Sequence, residues 1–355
     1  MQRALRLAER GRGQTPPNPM VGAMVVSDEG VVVGDGYHQR AGLPHAEARA
    51  LDRAGARARG ATLYCTLEPC CHTGRTGPCV ERIAAAGVRH VVAATVDPNP
   101  LVNGAGLDWL RRRGIGVTVG VERRAATRLN AAFFTLMREH RPFVIAKAAV
   151  SLDGRIAAGP GVRTEISGAA ARRAVQRTRA EVDAVGIGVG TLLVDDPVLT
   201  VRDVYRSRPL TRVVFDRSLR TPSTARLLAT TGQGPVVVLT TDAAIREQGR
   251  AVDVLREAGA GVEATGDGDL PEALRRLAGL GVSSLLLEGG AALHAAAWDA
   301  RMIDRVQLYV APMILGKAGV PLFGGRTFSV RELHDCRIEA CGGDVLVEGD
   351  VHRID

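Results

Sequence analysis

Four side chains in the first third of the sequence have the types and spacing of a metal-dependent hydrolytic site. His45 and Glu47 stand two residues apart, and Cys70 and Cys79 follow in a second segment. One histidine and two cysteines can hold a zinc ion, and a catalytic zinc keeps its fourth position for water. Zinc lowers the pKa of bound water from about 15.7 toward about 7, and a neighbouring carboxylate can then carry the proton. We therefore expect His45, Cys70 and Cys79 as ligands and Glu47 as the proton carrier.

The four residues are informative only as a set, because a His-x-Glu pair is usually a helix start and cysteines are often ordinary buried thiols. His-Ala-Glu, an apolar run, Glu-Pro-Cys and a later Cys before a helical segment together form the signature of zinc-dependent nucleobase deaminases. Cys71 competes for the second cysteine position, but adjacent side chains rarely both reach one tetrahedral metal. Eight residues separate Cys70 from Cys79, where such deaminases usually have two. The insert, with Arg75 and Thr76, is predicted to form a phosphate-facing loop.

Length and composition predict two domains of the α/β class. The chain has 355 residues, of which 46% are hydrophobic and only 3% aromatic, so aliphatic side chains must fill the cores. The formal net charge is +8, yet no Lys/Arg block with interleaved aromatic residues is present, so we expect no nucleic-acid partner. A phosphorylated small-molecule substrate and cofactor fit the charge equally well.

Membrane and export signals are not evident in the sequence. The amphipathic start lacks the apolar segment of a signal peptide, and no apolar run reaches 18 residues. Cysteines clustered with a histidine in such a chain indicate metal ligands in a reducing compartment. We therefore expect a cytoplasmic protein with no membrane partner.

Hydrophobic periodicity predicts that alternating strands and helices position the four side chains. The predicted elements are a helix near 1–12, strands at 21–26 and 31–37, a helix from 45 to about 57, a strand at 61–67, a helix at 81–86, a strand at 90–95, a helix at 107–113 and a strand at 115–119. His45 and Cys79 fall at the starts of two of these helices. Partial positive charge at helix N-termini favours thiolate over thiol.

Residues 121–141 are predicted to form a helix and a linker, and Pro142 then separates this linker from a new strand. We therefore expect domains at 1–142 and 143–355. In the second half we predict strands at 143–150, 182–189, 211–216, 234–239, 285–287, 306–311 and 345–351. A helix at 169–180 is predicted to turn its arginines outward: Arg172, Arg173, Arg177 and Arg179.

Two strand–glycine–helix junctions in the second half indicate a nucleotide site. Gly186-Ile-Gly188 and Glu288-Gly289-Gly290 each follow an apolar strand, where glycine lets backbone amides approach a phosphate. The turn Ser151-Leu-Asp-Gly154 is either a ligand-binding edge or a plain turn.

Longer motifs in the first half resemble a known family. Asn18-Pro-Met-Val-Gly22, Gly36-Tyr-His-Gln-Arg-Ala-Gly42, Thr66-Leu-Glu-Pro-Cys70 and Asp97-Pro-Asn-Pro100 are similar to the deaminase domain of bifunctional riboflavin-biosynthesis deaminase-reductases. The resemblance covers most of residues 1–120, and the ten-residue stretch from Cys to Cys is typical of that family. Met20 departs from the Asn that is more usual there. The resemblance implies a cytidine-deaminase-like three-layer domain.

Motifs in the second half resemble the reductase half of the same family, in the same order, over about residues 143–320. They are Lys147-Ala-Ala-Val-Ser-Leu-Asp-Gly-Arg155, Gly188-Val-Gly-Thr191, Asp195-Asp-Pro197, Leu199-Thr200, Glu288-Gly-Gly290 and Pro312-Met-Ile-Leu-Gly316. This resemblance implies a dihydrofolate-reductase-like domain that uses NADPH.

The resemblance also implies the ligand contacts of that domain. The implied cofactor contacts are Ala149, Glu165, Thr191, Asp195, Gly290, Ala291, Ala292 and Leu293. The implied substrate contacts are Arg163, Arg179, Leu199, Arg202 and Glu288. Arg179 and Arg202 could clamp a substrate phosphate bidentately, and Glu288 could bond sugar hydroxyls. Glu165 stands where the family often has Trp, so the cofactor site is expected to differ at that edge.

The function implied is two consecutive steps of riboflavin synthesis by a homo-oligomer. Zinc-dependent hydrolytic deamination of 2,5-diamino-6-(5-phosphoribosylamino)pyrimidin-4-one is followed by NADPH-dependent reduction, which yields 5-amino-6-(5-phosphoribitylamino)uracil. One alternative is a deaminase of free nucleosides or tRNA bases fused to an unrelated reductase. The spacing of Cys70 and Cys79 opposes it, and a tRNA enzyme would bind RNA with a steep salt dependence. The other alternative is a catalytically inactive ligand-binding protein, which the intact His45, Glu47 and cysteines oppose.

Overall fold

A computed structural model of the protein describes residues 1–73 and 77–352. Its residue contacts divide the chain into two compact units, one of which ends at His140 while the other begins at Arg141. In the described part of the chain, no helix is both long and apolar enough to cross a membrane.

The first unit contains a five-stranded sheet with helices packed against it. Its strands are β1 (Gly22–Val26), β2 (Val32–Tyr37), β3 (Thr62–Cys65), β4 (His90–Ala93) and β5 (Gly116–Val119). Its helices are α1 (Gln2–Ala8), α2 (Ala46–Ala54), α3 (Cys79–Ala85), α4 (Ala105–Arg112), α5 (Arg123–Leu129) and α6 (Ala131–Glu139). The sheet order is β2-β1-β3-β4-β5, with β1 antiparallel to both neighbours and β3, β4 and β5 parallel. The predicted order of strands and helices through β5 is confirmed.

The helix predicted after residue 121 is in fact two helices, because the chain bends at Asn130. The backbone of Asn130 leaves the helical region, with φ −106° and ψ 23°. Its side-chain Oδ1 accepts a hydrogen bond from the Met20 amide at 2.7 Å, and its Nδ2 donates to the Met20 carbonyl at 2.8 Å. This pair of bonds ties α5 and α6 to the segment that precedes β1.

Close approach between α2 and β2 places the N-terminus of α2 firmly on the sheet. A Cβ atom on Gly34 would lie 2.1 Å from the Ala50 carbonyl oxygen, and one on Gly36 would lie 2.6 Å from that of Ala46. Only glycine allows backbones to pack at such distances. His45 and Glu47, at the start of α2, are therefore held by backbone packing and by an aliphatic core that includes Ala50 and Leu63.

The second unit is built on a nine-stranded sheet and a small two-stranded one. Its strands are β6 (Phe143–Ser151), β7 (Arg155–Ala157), β8 (Ala184–Gly188), β9 (Thr211–Phe215), β10 (Val236–Thr240), β11 (Ala260–Ala264), β12 (Ser284–Leu287), β13 (Arg305–Ala311), β14 (Val320–Pro321), β15 (His334–Cys341) and β16 (Asp344–Asp350). Its helices are α7 (Ala169–Glu181), α8 (Val189–Asp195), α9 (Asp242–Glu247), α10 (Gly249–Glu257), α11 (Leu270–Gly279) and α12 (Ala291–Asp299).

The nine strands follow the order β11-β10-β9-β8-β12-β6-β13-β16-β15. Strands from β11 to β13 run parallel, and β16 is antiparallel to both β13 and β15. The sequence prediction did not include β11 and β15. β11 is short and rich in Ala and Gly, and β15 alternates charged with apolar residues and is mostly exposed, so neither has the apolar run of a central strand.

Candidate active sites

His45, Cys70 and Cys79 converge at one point in the first unit. His45 is the N-cap of α2, and Cys79 is the first residue of α3. The His45 Nδ1 atom lies 3.5 Å from Cys70 Sγ and 3.3 Å from Cys79 Sγ. The backbone amide of Cys79 also donates to Cys70 Sγ at 3.4 Å. The side chain of Cys79 donates a hydrogen bond to Cys70, and this bond lowers the pKa of the Cys70 thiol.

The spacing of these three atoms fits zinc. Tetrahedral bonds of about 2.05 Å to nitrogen and 2.3 Å to sulfur place the N and S ligand atoms about 3.5 Å apart. Both observed distances from His45 Nδ1 agree with this value. Among the described residues, this trio is the group whose ligand atoms lie close enough to hold a metal, all within 4.8 Å. The donor set of one imidazole and two thiolates is one that zinc prefers.

Glu47 lies in the first turn of α2, beside the trio but not part of it. Its side chain is 3% exposed. Burial raises the pKa of Glu47 to about 7, and the negative charge of Cys70 acts in the same direction. A carboxyl with such a pKa both accepts and releases a proton near neutrality, which is the property required of a general acid/base.

His45, Cys70 and Glu47 line a cavity of about 390 Å³. Polar residues that the sequence analysis did not assign to the site also line it: Asn18, His38, Glu68, His72, Asp97 and Asn99. Asn18 Nδ2 lies 3.0 Å from His38 Nε2, and the His38 and His45 rings meet edge to face with centroids 5.5 Å apart. All of these residues except His72 come from the motifs quoted in the sequence analysis. The available signal was their position beside Pro or Gly in those motifs.

Three sequence expectations near this cavity have different outcomes. The phosphate-facing role of Arg75 and Thr76 falls outside the described residues. Met20, which departs from the usual Asn, is not among the residues lining the cavity, and its backbone is bonded to Asn130. Cys71 Sγ contacts the Leu101 carbonyl oxygen at 3.8 Å, and Cys71 does not belong to the ligand trio.

The second unit has a cavity of about 650 Å³, and every residue expected to contact the cofactor lines it. These residues are Ala149, Glu165, Thr191, Asp195, Gly290, Ala291, Ala292 and Leu293. They come from β6, from the loop before α7, from α8 and from the junction of β12 and α12. The cavity thus includes residues just beyond the carboxyl ends of the parallel neighbours β8 and β12, which is where open α/β sheets bind ligands. Glu165 is exposed at its edge.

A smaller cavity of about 250 Å³ in the same unit is lined by four arginines and one aspartate: Arg163, Arg179, Arg202, Arg226 and Asp195. Leu199 lines it as well, whereas Glu288 lines the larger cavity. Arg226 was not anticipated from the sequence, where it lies in a polar stretch without a motif. An excess of positive charge in a concave site favours an anionic group such as a phosphate.

The prediction that Arg179 points outward is wrong, because its side chain is 11% exposed and paired with Glu288. Arg179 Nε donates to Glu288 Oε1 at 2.6 Å, and Nη2 donates to Oε2 at 2.8 Å. Nη1 donates to the Thr200 carbonyl at 2.9 Å. Burial acts to raise the pKa of Glu288, but Arg179 outweighs it and the net shift is downward. Three of the five N–H groups of Arg179 are therefore already used, which leaves two for a ligand.

Lys147 and His294 are two further polar residues of the larger cavity that the sequence analysis did not assign. Burial lowers the pKa of Lys147, against the opposing effect of Glu288. His294 is 1% exposed, and its Nε2 lies 3.0 Å from the Leu287 carbonyl oxygen. Burial lowers the pKa of His294 to about 4, so the ring is neutral at pH 7. For Lys147, the available sequence signal was a lysine inside the otherwise apolar strand β6.

Comparison with known families assigns each half of the chain. Residues 1–95 match the cytidine and deoxycytidylate deaminase zinc-binding region, and residues 142–347 match the RibD C-terminal domain. The chain is 41% identical over 317 residues to riboflavin biosynthesis protein RibD of Aquifex aeolicus, covering 89% of this chain and 87% of that protein. It is also 41% identical over 328 residues to the RibD protein of Escherichia coli, covering 89% and 88%.

Solved structures agree with these matches. RibD of Acinetobacter baumannii superposes with a TM-score of 0.85 at 36% identity, covering 98% of this chain and 97% of that one. A diaminohydroxyphosphoribosylaminopyrimidine deaminase/5-amino-6-(5-phosphoribosylamino)uracil reductase of Thermotoga maritima gives 0.83 at 34% identity, with 99% and 97% covered. The expected fold class, a cytidine-deaminase-like domain followed by a dihydrofolate-reductase-like one, is confirmed.

Proposed function

Because the chain belongs to the RibD family of bifunctional riboflavin-biosynthesis enzymes, we propose that residues 1–142 carry out its deamination and residues 143–355 its reduction. The first reaction is the hydrolytic deamination of 2,5-diamino-6-(5-phosphoribosylamino)pyrimidin-4-one. The second reduces the ribosyl side chain of the product and yields 5-amino-6-(5-phosphoribitylamino)uracil. The observation that carries the assignment of the first site is the convergence of His45, Cys70 and Cys79 beside the buried Glu47.

In the deaminase unit, His45 Nδ1 and the two thiolates would hold the zinc. When bound, zinc acts as a Lewis acid that allows water to lose a proton near neutral pH. Glu47, buried beside these ligands, would accept that proton and pass it to the amine that leaves. Asn18, His38, Asp97 and Asn99 line the cavity with hydrogen-bonding groups, which can orient a pyrimidine with polar substituents.

In the reductase unit, the cavity of about 650 Å³ would hold NADPH through Ala149, Glu165, Thr191, Asp195 and the segment Gly290–Leu293. NADPH supplies the hydride, so the protein contributes binding and orientation. Backbone amides at the start of α12, which follows Gly290, suit a phosphate of the cofactor.

The smaller cavity supports a site for the substrate's 5-phosphate. Arg163, Arg202 and Arg226 line it, and Arg179 adds charge and two remaining N–H groups. Leu199 lines it with apolar surface, and we expect Glu288, held by Arg179, to accept hydrogen bonds from sugar hydroxyls. A full bidentate clamp by Arg179 would require it to release Glu288, so Arg202 is the better candidate for that contact.

A paired assay tests both activities. Ammonia release and NADPH oxidation are followed with the diaminopyrimidine substrate, and NADPH oxidation is followed separately with the deaminated pyrimidine. Glu47→Gln is expected to abolish both signals with the first substrate and to leave oxidation with the second unchanged. Absence of zinc and of ammonia release in the purified wild-type protein would refute the deaminase assignment.

The proposal includes a cytoplasmic homo-oligomer without nucleic-acid or membrane partners. None of the six cysteines forms a disulfide, as expected in a reducing compartment. Light scattering over a concentration series measures the oligomeric state, and a salt titration with tRNA tests the absence of nucleic-acid binding.

A further inference from the structure

Glu68 is a buried carboxylate, 3% exposed, for which the deamination chemistry has no use. Four backbone amides donate to it. Its Oε2 accepts from the amides of Asp97 at 3.1 Å and Gly104 at 2.9 Å. Its Oε1 accepts from Gly106 at 2.9 Å and Leu107 at 3.3 Å. Hydrogen bonds to an ionised acceptor are roughly twice as strong as neutral ones, so this set joins two segments firmly.

The two segments joined by Glu68 both belong to the deaminase cavity. Glu68 precedes the ligand Cys70 by two residues, and the bonded amides lie in the segment that carries Asp97 and Asn99. Asp97 Oδ1 in turn accepts from the Asn99 amide at 2.8 Å. Packing here is close, because a Cβ atom on Gly106 would lie only 2.2 Å from the Pro69 carbonyl oxygen.

We propose that Glu68 is a positioning residue that sets the distance of Asp97 and Asn99 from Cys70, and thus the shape of the pyrimidine cavity. This inference rests on the deaminase function proposed above. Glutamine cannot replace Glu68, because its single amide oxygen can serve one pair of N–H groups while its NH₂ would face the other pair. The loop with Asp97 and Asn99 would then move relative to Cys70.

The experiment compares Glu68→Gln with Glu81→Gln, which removes an exposed carboxylate on the neighbouring helix α3. Steady-state deamination is measured at saturating zinc, and zinc retention is measured by chelator competition. For Glu68→Gln we expect a KM raised at least about tenfold with kcat within about threefold, as loss of charge-assisted bonds predicts. Zinc should remain at one ion per chain, and reduction of the deaminated pyrimidine should be unchanged. Glu81→Gln should match the wild type.

Four outcomes would contradict the positioning role or the function on which it rests. An unchanged KM in zinc-loaded Glu68→Gln would overturn the positioning role, as would a loss of kcat and zinc in proportion to unfolded protein. If Glu68→Gln does not accumulate, Glu68→Asp keeps the charge with a shorter reach and should show an intermediate KM; a wild-type KM there would also overturn the role. A wild-type protein that releases no ammonia would refute the deaminase function itself.

Strand β15 carries a second inference, from a different part of the molecule. It is the last strand of the nine-stranded sheet and pairs with β16. Residues 336–340 are exposed, and Ile338 is 66% exposed. An open strand edge with an exposed apolar residue is a template for pairing with another strand.

The direction of the free backbone groups follows from the hairpin. Gly342 and Gly343 connect Cys341 to its partner Asp344, which makes this closing pair a hydrogen-bonded one. Because hydrogen-bonded and non-bonded pairs alternate along an antiparallel ladder, Ile338 and Ala340 direct their amides and carbonyls to the open edge.

The sequence of this edge is complementary to itself. If two copies of β15 pair antiparallel about Ile338, Arg337 of each copy lies opposite Glu339 of the other. Two-fold symmetry produces this contact twice, and opposite charges directly across a ladder are favourable. We infer that the β15 edge is an interface with the β15 edge of a second copy of this chain.

Charge reversal tests the interface by sedimentation velocity over a concentration series. Arg337→Glu or Glu339→Arg places like charges opposite each other twice and should raise the dimer Kd at least about tenfold. The double variant Arg337→Glu/Glu339→Arg restores opposite charges and should return the Kd toward the wild-type value. Arg331→Glu, an exposed charge reversal outside the strand, is the control. A monomeric wild type would overturn the inference. A double variant whose dimer Kd is as high as that of the single variants would also overturn it.

Discussion

The buried pair Arg179–Glu288 makes a prediction about stability that depends on where the two charges lie. Glu288→Ala removes a carboxylate whose side chain is 9% exposed and leaves the guanidinium of Arg179, 11% exposed, without its partner. Removing one member of a buried ion pair costs about 3–5 kcal/mol, because the remaining charge stays desolvated. For a domain of 150–250 residues, that corresponds to a fall in Tm of roughly 6–20 °C.

An exposed pair in the same unit is the control. Arg275 and Glu272 are 2.8 Å apart, close to the 2.6 Å of Arg179 and Glu288, but their side chains are 53% and 46% exposed. Glu272→Ala should therefore cost at most about 1 kcal/mol. The two variants have the same chemistry and differ mainly in burial.

Differential scanning calorimetry and urea unfolding measure both variants in the full-length protein. The transition of the reductase unit should shift for Glu288→Ala, and ammonia release should persist at 25 °C. A decrease in the free energy of unfolding no greater than that of Glu272→Ala would refute the reasoning from burial. Arg179→Met/Glu288→Leu should recover part of the loss, because it removes the unpaired charge.

Three further predictions concern individual side chains. Cys79→Ser should reduce the zinc content from one ion per chain to a small fraction and abolish ammonia release, whereas Cys71→Ser should retain both zinc and activity. Metal analysis after gel filtration measures the zinc content. Zinc loss in Cys71→Ser would contradict the ligand assignment. His294 has a pKa of about 4 in the folded protein and about 6.5 when unfolded. Its contribution to stability is therefore complete above pH 6.5 and decreases as the pH falls toward 4. The total decrease is about 3 kcal/mol. Urea unfolding at pH 7 and pH 4.5 should therefore show that the free energy of unfolding falls less in His294→Gln than in the wild type. An equal fall in both proteins would count against a buried neutral histidine. Glu165→Trp should lower the KM for NADPH with little change in that for the pyrimidine, and an unchanged KM for NADPH would show that the departure at residue 165 has no effect on cofactor use.

Much of the first unit could be predicted because its signals are local. His45 and Glu47 lie in one helical turn, and two residues of separation there place one side chain on a metal and the other beside it. The alternation of strands and helices from 21 to 119 follows apolar runs that end at glycines, so the elements agree with the predicted ones. The bend at Asn130 was not predictable, since it depends on hydrogen bonds to Met20, 110 residues away.

Two arginines of the reductase site could not be placed from local sequence signals. A helix rich in arginine normally has a solvated polar face, and on that basis Arg179 was placed outward with its neighbours. Its actual direction depends on Glu288, 109 residues later, and on the Thr200 carbonyl. Arg226 lies in a stretch without a motif, and only folding brings it to the same cavity as Arg202.

By itself, the sequence determined the chemistry available to this protein: a His, a Glu and two Cys in the order typical of zinc deaminases, and glycine junctions suited to a nucleotide. Residue type and short-range spacing suffice for that, because ligand chemistry and helix geometry are local properties. Tertiary structure alone decided which distant groups share a cavity and which charges are paired. The four amides on Glu68, the pairing of Arg179 with Glu288 and the open edge of β15 all depend on contacts between segments far apart in the chain. Burial then changes what each group can do, since a charge removed from water must find a partner or shift its pKa.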